Sequence, residues 1–341
     1  MAGRLGAVRT ARLRIAAGAL TLACAAAILG GCGGGNAATG RSATLVLDFV
    51  PGPAHAGVYE ALARGYYAED GIDLEVIEPT STADTLKLID AGKAELGIAD
   101  GLDVAGQIDA GRGARAIMAI APRPLGGVIT LAGAGIDSPA DLEGRTVGVT
   151  GVPSDYAILD TVVAADGGDP NAVDRVTIGF NGVQGLEAGK IDGFTGFIPA
   201  DGVQIEVDGE PTRSFGPDEY GGLHYPGLVV FSTEEQIAAD PELMRAFVDA
   251  TVRGYDDVIA DPAAGVAALL DANPAIDATF ARRSLAAYLP YFQAGGRPFG
   301  SFDRRSIAGL SRFMVPAGLL DRPIAPDRYA APQFTGGWEG G

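Results

Sequence analysis

DFVPGPAHAGVYEALARGYY, Asp48–Tyr67, joins the end of an apolar run to a helical pattern through a turn of Pro51, Gly52 and Pro53. Upstream, ATLVLDFV reads as a strand, and downstream GVYEALARGYYAED carries helical spacing. The alternation continues with strand IDLEVIE, helix TADTLKLIDAG and strand ELGIAD. Short apolar strands separated by helices predict a parallel α/β sheet. The turn itself holds His55, one of only two histidines in the chain. Histidine titrates near neutrality, so catalyst, metal ligand and recognition group are all open to it.

After a Pro/Gly break at 122–127 the scheme starts again: strand RTVGVTG, turn VPSDY, helix AILDTVVAADGG, strand DRVTIGF, helix GVQGLEAG, strand IDGFTGF. DAGKAELGIAD (90–100) aligns with EAGKIDGFTGF (187–197), a weak repeat whose unit is a lobe and not a small stacking module. The chain then re-enters strand at GLVVFS and runs into helices opened by Asp240–Pro241, Asp261–Pro262 and Asp277, with a fourth in FDRRSIAGLSRFMVPAGLL. Their apolar stripes, Tyr255 and Tyr288 included, read as core. Ser138–Pro139 reads as a further helix start. This order predicts lobe 1 from 44–124 and 229–341, interrupted by lobe 2 from 125–228, with two chain crossings at a hinge. The junctions 51–57 and 152–156 then fall at the carboxyl ends of parallel strands, on opposite walls of one cleft.

The N-terminus stands apart. Arg4, Arg9, Arg12 and Arg14 precede IAAGALTLACAAAILGG, the layout of a secretory signal. LGGC, ending at Cys32, resembles the lipobox of bacterial lipoproteins. The expectation is a signal peptide over 1–31, lipidation of Cys32, a flexible tether over 32–43, and an extracytoplasmic protein anchored to the outer face of the cell membrane. Cys24 lies inside the leader, so the mature domain has no disulfide, no thiol nucleophile and no cysteine metal site. Loss of the four arginines takes the net charge from −18 to −22, which repels nucleic acid.

LDFVPGPAHAGVYEALARGYYAEDGIDLEVI resembles the opening of solute-binding proteins for thiamine pyrimidine precursors. That family carries a D-W-x-P-N-x-x-H-x-G-x-Y pattern followed by G-Y-F and G-(L/I)-D. Asp48, Pro51, His55, Gly57 and Tyr59 fit it, as do Gly65, Tyr66, Gly71 and Asp73. The resemblance extends over nearly all of the mature chain and implies a two-lobed periplasmic-binding-protein fold of the second type, serving an ABC permease as a monomer. Phe49 stands where the family has Trp, Gly52 and Ala54 where its turn carries Asn, and Ile198–Asp201 in place of a W-N-x-E-like element. A related fungal pyrimidine synthase uses a histidine matching His55, but that enzyme carries a cysteine-rich motif that this chain lacks.

The resemblance and the strand-end positions together give the expected site. His55 is expected as a hydrogen-bonding recognition group, with Asp48 and Asp100 as acceptors for ring or exocyclic N–H. Phe49, Tyr59 and Phe197 supply stacking or edge contacts, and Ser154 with Tyr156 forms the facing wall. A small heteroaromatic of the thiamine-related pyrimidine class is the expected ligand, with no cofactor, no metal and no catalysis. Sulfonate, nitrate or riboflavin on the same fold, a synthase-like enzyme, and a sensor lipoprotein without a transport role are the alternatives. Against an anion, neither turn carries Arg or Lys, and Arg123 falls at the hinge.

Overall fold

The computed structural model describes residues 40–293 and 296–339, so the expected signal peptide, Cys32 and most of the tether lie outside the described residues. The chain opens with β1 (Arg41–Val46), α1 (Ala56–Arg64), α2 (Tyr66–Glu69), β2 (Ile72–Ile77), α3 (Thr82–Asp90), β3 (Leu96–Ala99), α4 (Gly101–Asp109) and β4 (Ala114–Ala121). It crosses into β5 (Gly126–Leu131), β6 (Thr146–Val149), α5 (Pro153–Ala165), β7 (Asp174–Thr177), α6 (Gly182–Glu187), β8 (Gly193–Phe197), α7 (Val203–Asp208) and β9 (Thr212–Phe215). A second crossing leads to β10 (Leu228–Thr233) and then α8 (Glu234–Ala239), α9 (Pro241–Ala260), α10 (Pro262–Ala272), α11 (Ala278–Phe292), α12 (Arg304–Met314) and α13 (Pro326–Tyr329).

Two five-stranded sheets share one plan, β2-β1-β3-β10-β4 and β7-β6-β8-β5-β9. In each, the first strand of a βα series pairs in parallel with the second and third, β1 with β2 and β3, and β6 with β7 and β8. The strand arriving from the other lobe, β10 or β5, runs antiparallel to both its neighbours. This corrects the expectation of purely parallel sheets. Runs such as VITL and LVVF are buried on both faces and carry no signal of direction. Ser138–Pro139 likewise opens only a 3-10 turn, Pro139–Leu142, before β6 begins.

The repeated D/E-A-G-K stretches occupy equivalent places, closing α3 and α6 ahead of β3 and β8. Gly92 and Gly189 adopt φ of 61° and 63°, left-handed values that suit glycine. Lys93 N–H then donates to Leu88 C=O at 2.9 Å, and Lys190 N–H to Gly185 C=O at 3.0 Å. The carboxylates of Asp240, Asp261 and Asp277 accept backbone N–H groups at the starts of α9, α10 and α11.

Sheet one is covered on both faces. Leu45, Ile98 and Val230 pack with Phe247, Tyr255 and Phe292, while Val46, Ala99 and Phe231 pack with Leu102, Leu310 and Tyr329. Leu45 beside Val46 is the period of two expected of a strand with a core on each side. Sheet two does the same with Val128, Val147 and Leu159 on one face and Ile129, Phe194 and Ile205 on the other.

Candidate functional site

A cavity of about 440 Å³ lies where the carboxyl ends of the parallel strands of both sheets meet. Asp48 follows β1, Asp100 follows β3, Thr150 follows β6, Phe180 lies in the loop after β7 and Phe197 ends β8, and all five line it. Ligands of open α/β sheets bind at such strand ends because helix N-termini and loops converge there.

The turn 51–55 is held from below. Tyr255 on α9 donates its hydroxyl to the Ala54 carbonyl at 2.6 Å. His55, 2% exposed, has both ring nitrogens engaged: Gly52 N–H donates to Nδ1 at 3.2 Å, and Nε2 lies 2.8 Å from Asp48 Oδ1. A backbone N–H can only donate, so Nδ1 is the acceptor and Nε2–H donates to the carboxylate. In this arrangement His55 lines the cavity while its Nε2–H holds the Asp48 carboxylate.

Six of the eight expected ligand-binding residues line the cavity: Asp48, Phe49, His55, Asp100, Ser154 and Phe197. Two do not. Tyr59 is buried with its hydroxyl beside Asn273 at the end of α10. Tyr156 is half-buried on α5, where Ser154, Asp155 and Ile158 face the cavity, and a step of about 100° per residue carries it off that face.

The structure adds residues that were not among the expected ligand contacts. Asp103, one helical turn after Asp100, and Asp155, next to Ser154, both line the cavity, as does Asp201 in the irregular turn Ile198–Gly202. Asp100 caps α4 by accepting from Leu102 N–H at 2.8 Å. Asp155 accepts from Thr150 N–H at 2.6 Å, and Asp201 from Phe197 N–H at 2.8 Å. Burial raises the proton affinity of all four. Asp100 is pushed well above the usual carboxylate range by burial and then by neighbouring Asp103. Burial pushes Asp103 up to about 7 and Asp201 up to about 6, and raises Asp155.

Much of the apolar wall is aromatic. Phe49 of the first lobe meets Phe180 of the second edge to face, with centroids 4.3 Å apart, and Phe194, Phe197, Phe280 and Tyr288 also line the cavity, beside aliphatic Val152, Ile158, Ile178 and Val183. Tyr288, expected only in the core, serves both. Glu187 and Asp208 add further acids, and among the described residues no Lys or Arg lines the cavity. Such a site accepts N–H groups and packs flat rings. It offers no cation to an anion, and among the described residues no group of three or more His, Cys, Asp or Glu is placed to hold a metal ion.

Two mixed sheets closing on a cleft at their strand ends define a two-lobed α/β solute-binding fold. The alkanesulfonate-binding protein SsuA of Xanthomonas axonopodis pv. citri, solved with MOPS bound, superposes with a TM-score of 0.67 at 16% identity, over 86% of this chain and 97% of that one. Residues 52–265 match the family described as NMT1/THI5 like, and the chain belongs to that family. Among its relatives is a formylaminopyrimidine-binding protein of Halalkalibacterium halodurans, 29% identical over 84% of this chain and 89% of the relative. Another is a 4-amino-5-hydroxymethyl-2-methylpyrimidine phosphate synthase of Legionella pneumophila, 27% identical over 73% of this chain and 79% of the relative.

Proposed function

We propose that this chain is the extracytoplasmic solute-binding lipoprotein of an ABC importer, and that its solute is an amine-bearing pyrimidine of the thiamine-precursor type. The observation that carries the reading is the cavity lining, several buried carboxyls and a set of aromatic rings with no Lys or Arg among the described residues. A carboxylate accepting a ring or exocyclic N–H contributes about 1.5–3 kcal/mol where water is excluded. An aromatic contact adds about 0.5–1.5 kcal/mol beyond area burial. Both favour a neutral or cationic heteroaromatic, and an unpaired anion among these acids is opposed. The formylaminopyrimidine-binding relative supports the same class.

Binding without chemistry is the reading for this chain. The relatives named as synthases favour the other one, yet the only cysteines here are Cys24 and Cys32, both in the N-terminal segment. Calorimetric titration of unfolded and refolded protein with formylaminopyrimidine, 4-amino-5-hydroxymethyl-2-methylpyrimidine, thiamine, riboflavin, taurine and nitrate decides the solute. Binding of an aminopyrimidine, recovered unaltered afterwards, is expected. Heat with taurine or nitrate alone overturns the solute class, and an altered pyrimidine overturns the binding-only role. For the anchor, Cys32→Ser is expected to move the protein from the membrane to the soluble fraction, and retention on the membrane argues against lipidation there.

A further inference from the structure

One of the contacts across the cleft is made by a buried carboxyl group. Asp103 on α4 accepts two hydrogen bonds from Ser154 at the start of α5, Oδ2 from the hydroxyl at 2.9 Å and Oδ1 from the backbone N–H at 3.3 Å. The two residues are 3% and 4% exposed, and their helices follow strands of different sheets. Around Asp103 stand Asp100 at the N-cap of α4, Asp155 on α5, Tyr225 of the second crossing and Tyr329 of α13. None of these is basic; among the described residues the cavity lining adds neither Lys nor Arg, and its histidine, His55, is bonded to Asp48. A negative charge here has donors but no counter-ion, and its charged neighbours are acids.

We propose that the Asp103–Ser154 contact is a proton-linked latch: closing the lobes takes up a proton at this carboxyl, so the closed form, and solute affinity with it, gains as the pH falls.

Opening separates α4 from α5 and admits water, where an aspartate titrates near about 3.9. In the closed protein burial dominates and pushes Asp103 up to about 7, opposed by the Ser154 hydroxyl and reinforced by Asp155. The closed form therefore holds the proton more tightly. Its advantage is complete below the open-state value and is lost as the pH rises through about 7. Between those limits one proton changes the closed-to-open ratio by up to about tenfold per pH unit. The serine hydroxyl can donate to the carboxylate or accept from the acid, so the contact survives protonation.

The first test needs no solute and is independent of the pyrimidine reading. Small-angle scattering of the full chain from about pH 5 to about pH 8 should show compaction below neutrality. Asp103→Asn, neutral throughout, should stay compact at the alkaline end. Identical profiles for the two proteins overturn the latch. The second test rests on the pyrimidine reading and uses 4-amino-5-hydroxymethyl-2-methylpyrimidine as probe, with affinity measured over the same range. Asp103→Asn should remove up to about tenfold per pH unit of the wild-type slope. Ser154→Ala, which deletes the donor opposing burial, should shift the transition to higher pH. Equal slopes in wild type and Asp103→Asn refute the latch even where both bind. Failure of both to bind the probe counts against the pyrimidine reading, and the scattering result then decides the latch.

Discussion

His55 illustrates how far a residue type carries and where geometry takes over. Its place in a Pro/Gly turn after a strand, with Asp48 seven positions earlier, was legible in the sequence, and so were the strand-end positions of Asp100, Ser154 and Phe197. The direction of its bonds was not, because that depends on a backbone N–H three residues away. Asp103 and Asp155 escaped notice for a related reason: an acid in the first turn of a helix reads as a solvated or dipole-favoured group until the opposing lobe buries it. With both nitrogens engaged, His55→Ala is expected to leave a buried carboxylate oxygen without its donor. Urea unfolding should register a loss of about 1–3 kcal/mol. Calorimetry should show affinity for an aminopyrimidine at least about tenfold weaker, since Asp48 loses its fixed orientation. Unchanged stability with weakened binding would instead assign His55 a direct contact with the solute.

At the scale of elements, α1 and α9 cross closely because two glycines face each other there. A Cβ on Gly57 would collide with the Tyr255 ring, and one on Gly254 with the Gly57 carbonyl. The same Tyr255 stacks on Phe299 at 4.3 Å and holds the Ala54 carbonyl, so this packing sets the height of the His55 turn. Gly57→Ala should therefore cost about 1–3 kcal/mol by overpacking and also weaken solute binding, read by unfolding and titration on one preparation. If stability falls while affinity holds, the crossing is structural only and the turn is fixed by its own hydrogen bonds. Gly57 fits the family pattern in the sequence, but its physical reason is a tyrosine almost two hundred positions later, which no local periodicity reports. The directions of β5 and β10 were hidden in the same way, being set by where the chain returns from and not by the residues in the strand.

For the whole molecule, the bridges across the cleft among the described residues include Asp103 with Ser154, Phe49 against Phe180, and α11 against the second lobe. Along α11, Ala281, Leu285, Tyr288 and Phe292 are buried in the core of sheet one, while Ser284 donates to the Pro199 carbonyl at 2.6 Å and Arg283 pairs with Glu206 at 2.7 Å. The Arg283 pair is about half exposed and adds little. Ser284 is fully buried, so its bond is the stronger tie. One such bond is worth about 0.5–1.5 kcal/mol net, or a shift of about two- to tenfold in the closed-to-open ratio. Ser284→Ala should consequently enlarge the unliganded protein in scattering and lower solute affinity by that factor, with no new pH dependence, because no titrating group is removed. That last feature separates it from Asp103→Asn, whose effect must vary with pH. If Ser284→Ala leaves both size and affinity unchanged, α11 follows the second lobe through the motion, and closure is governed at the Asp103 side of the cleft.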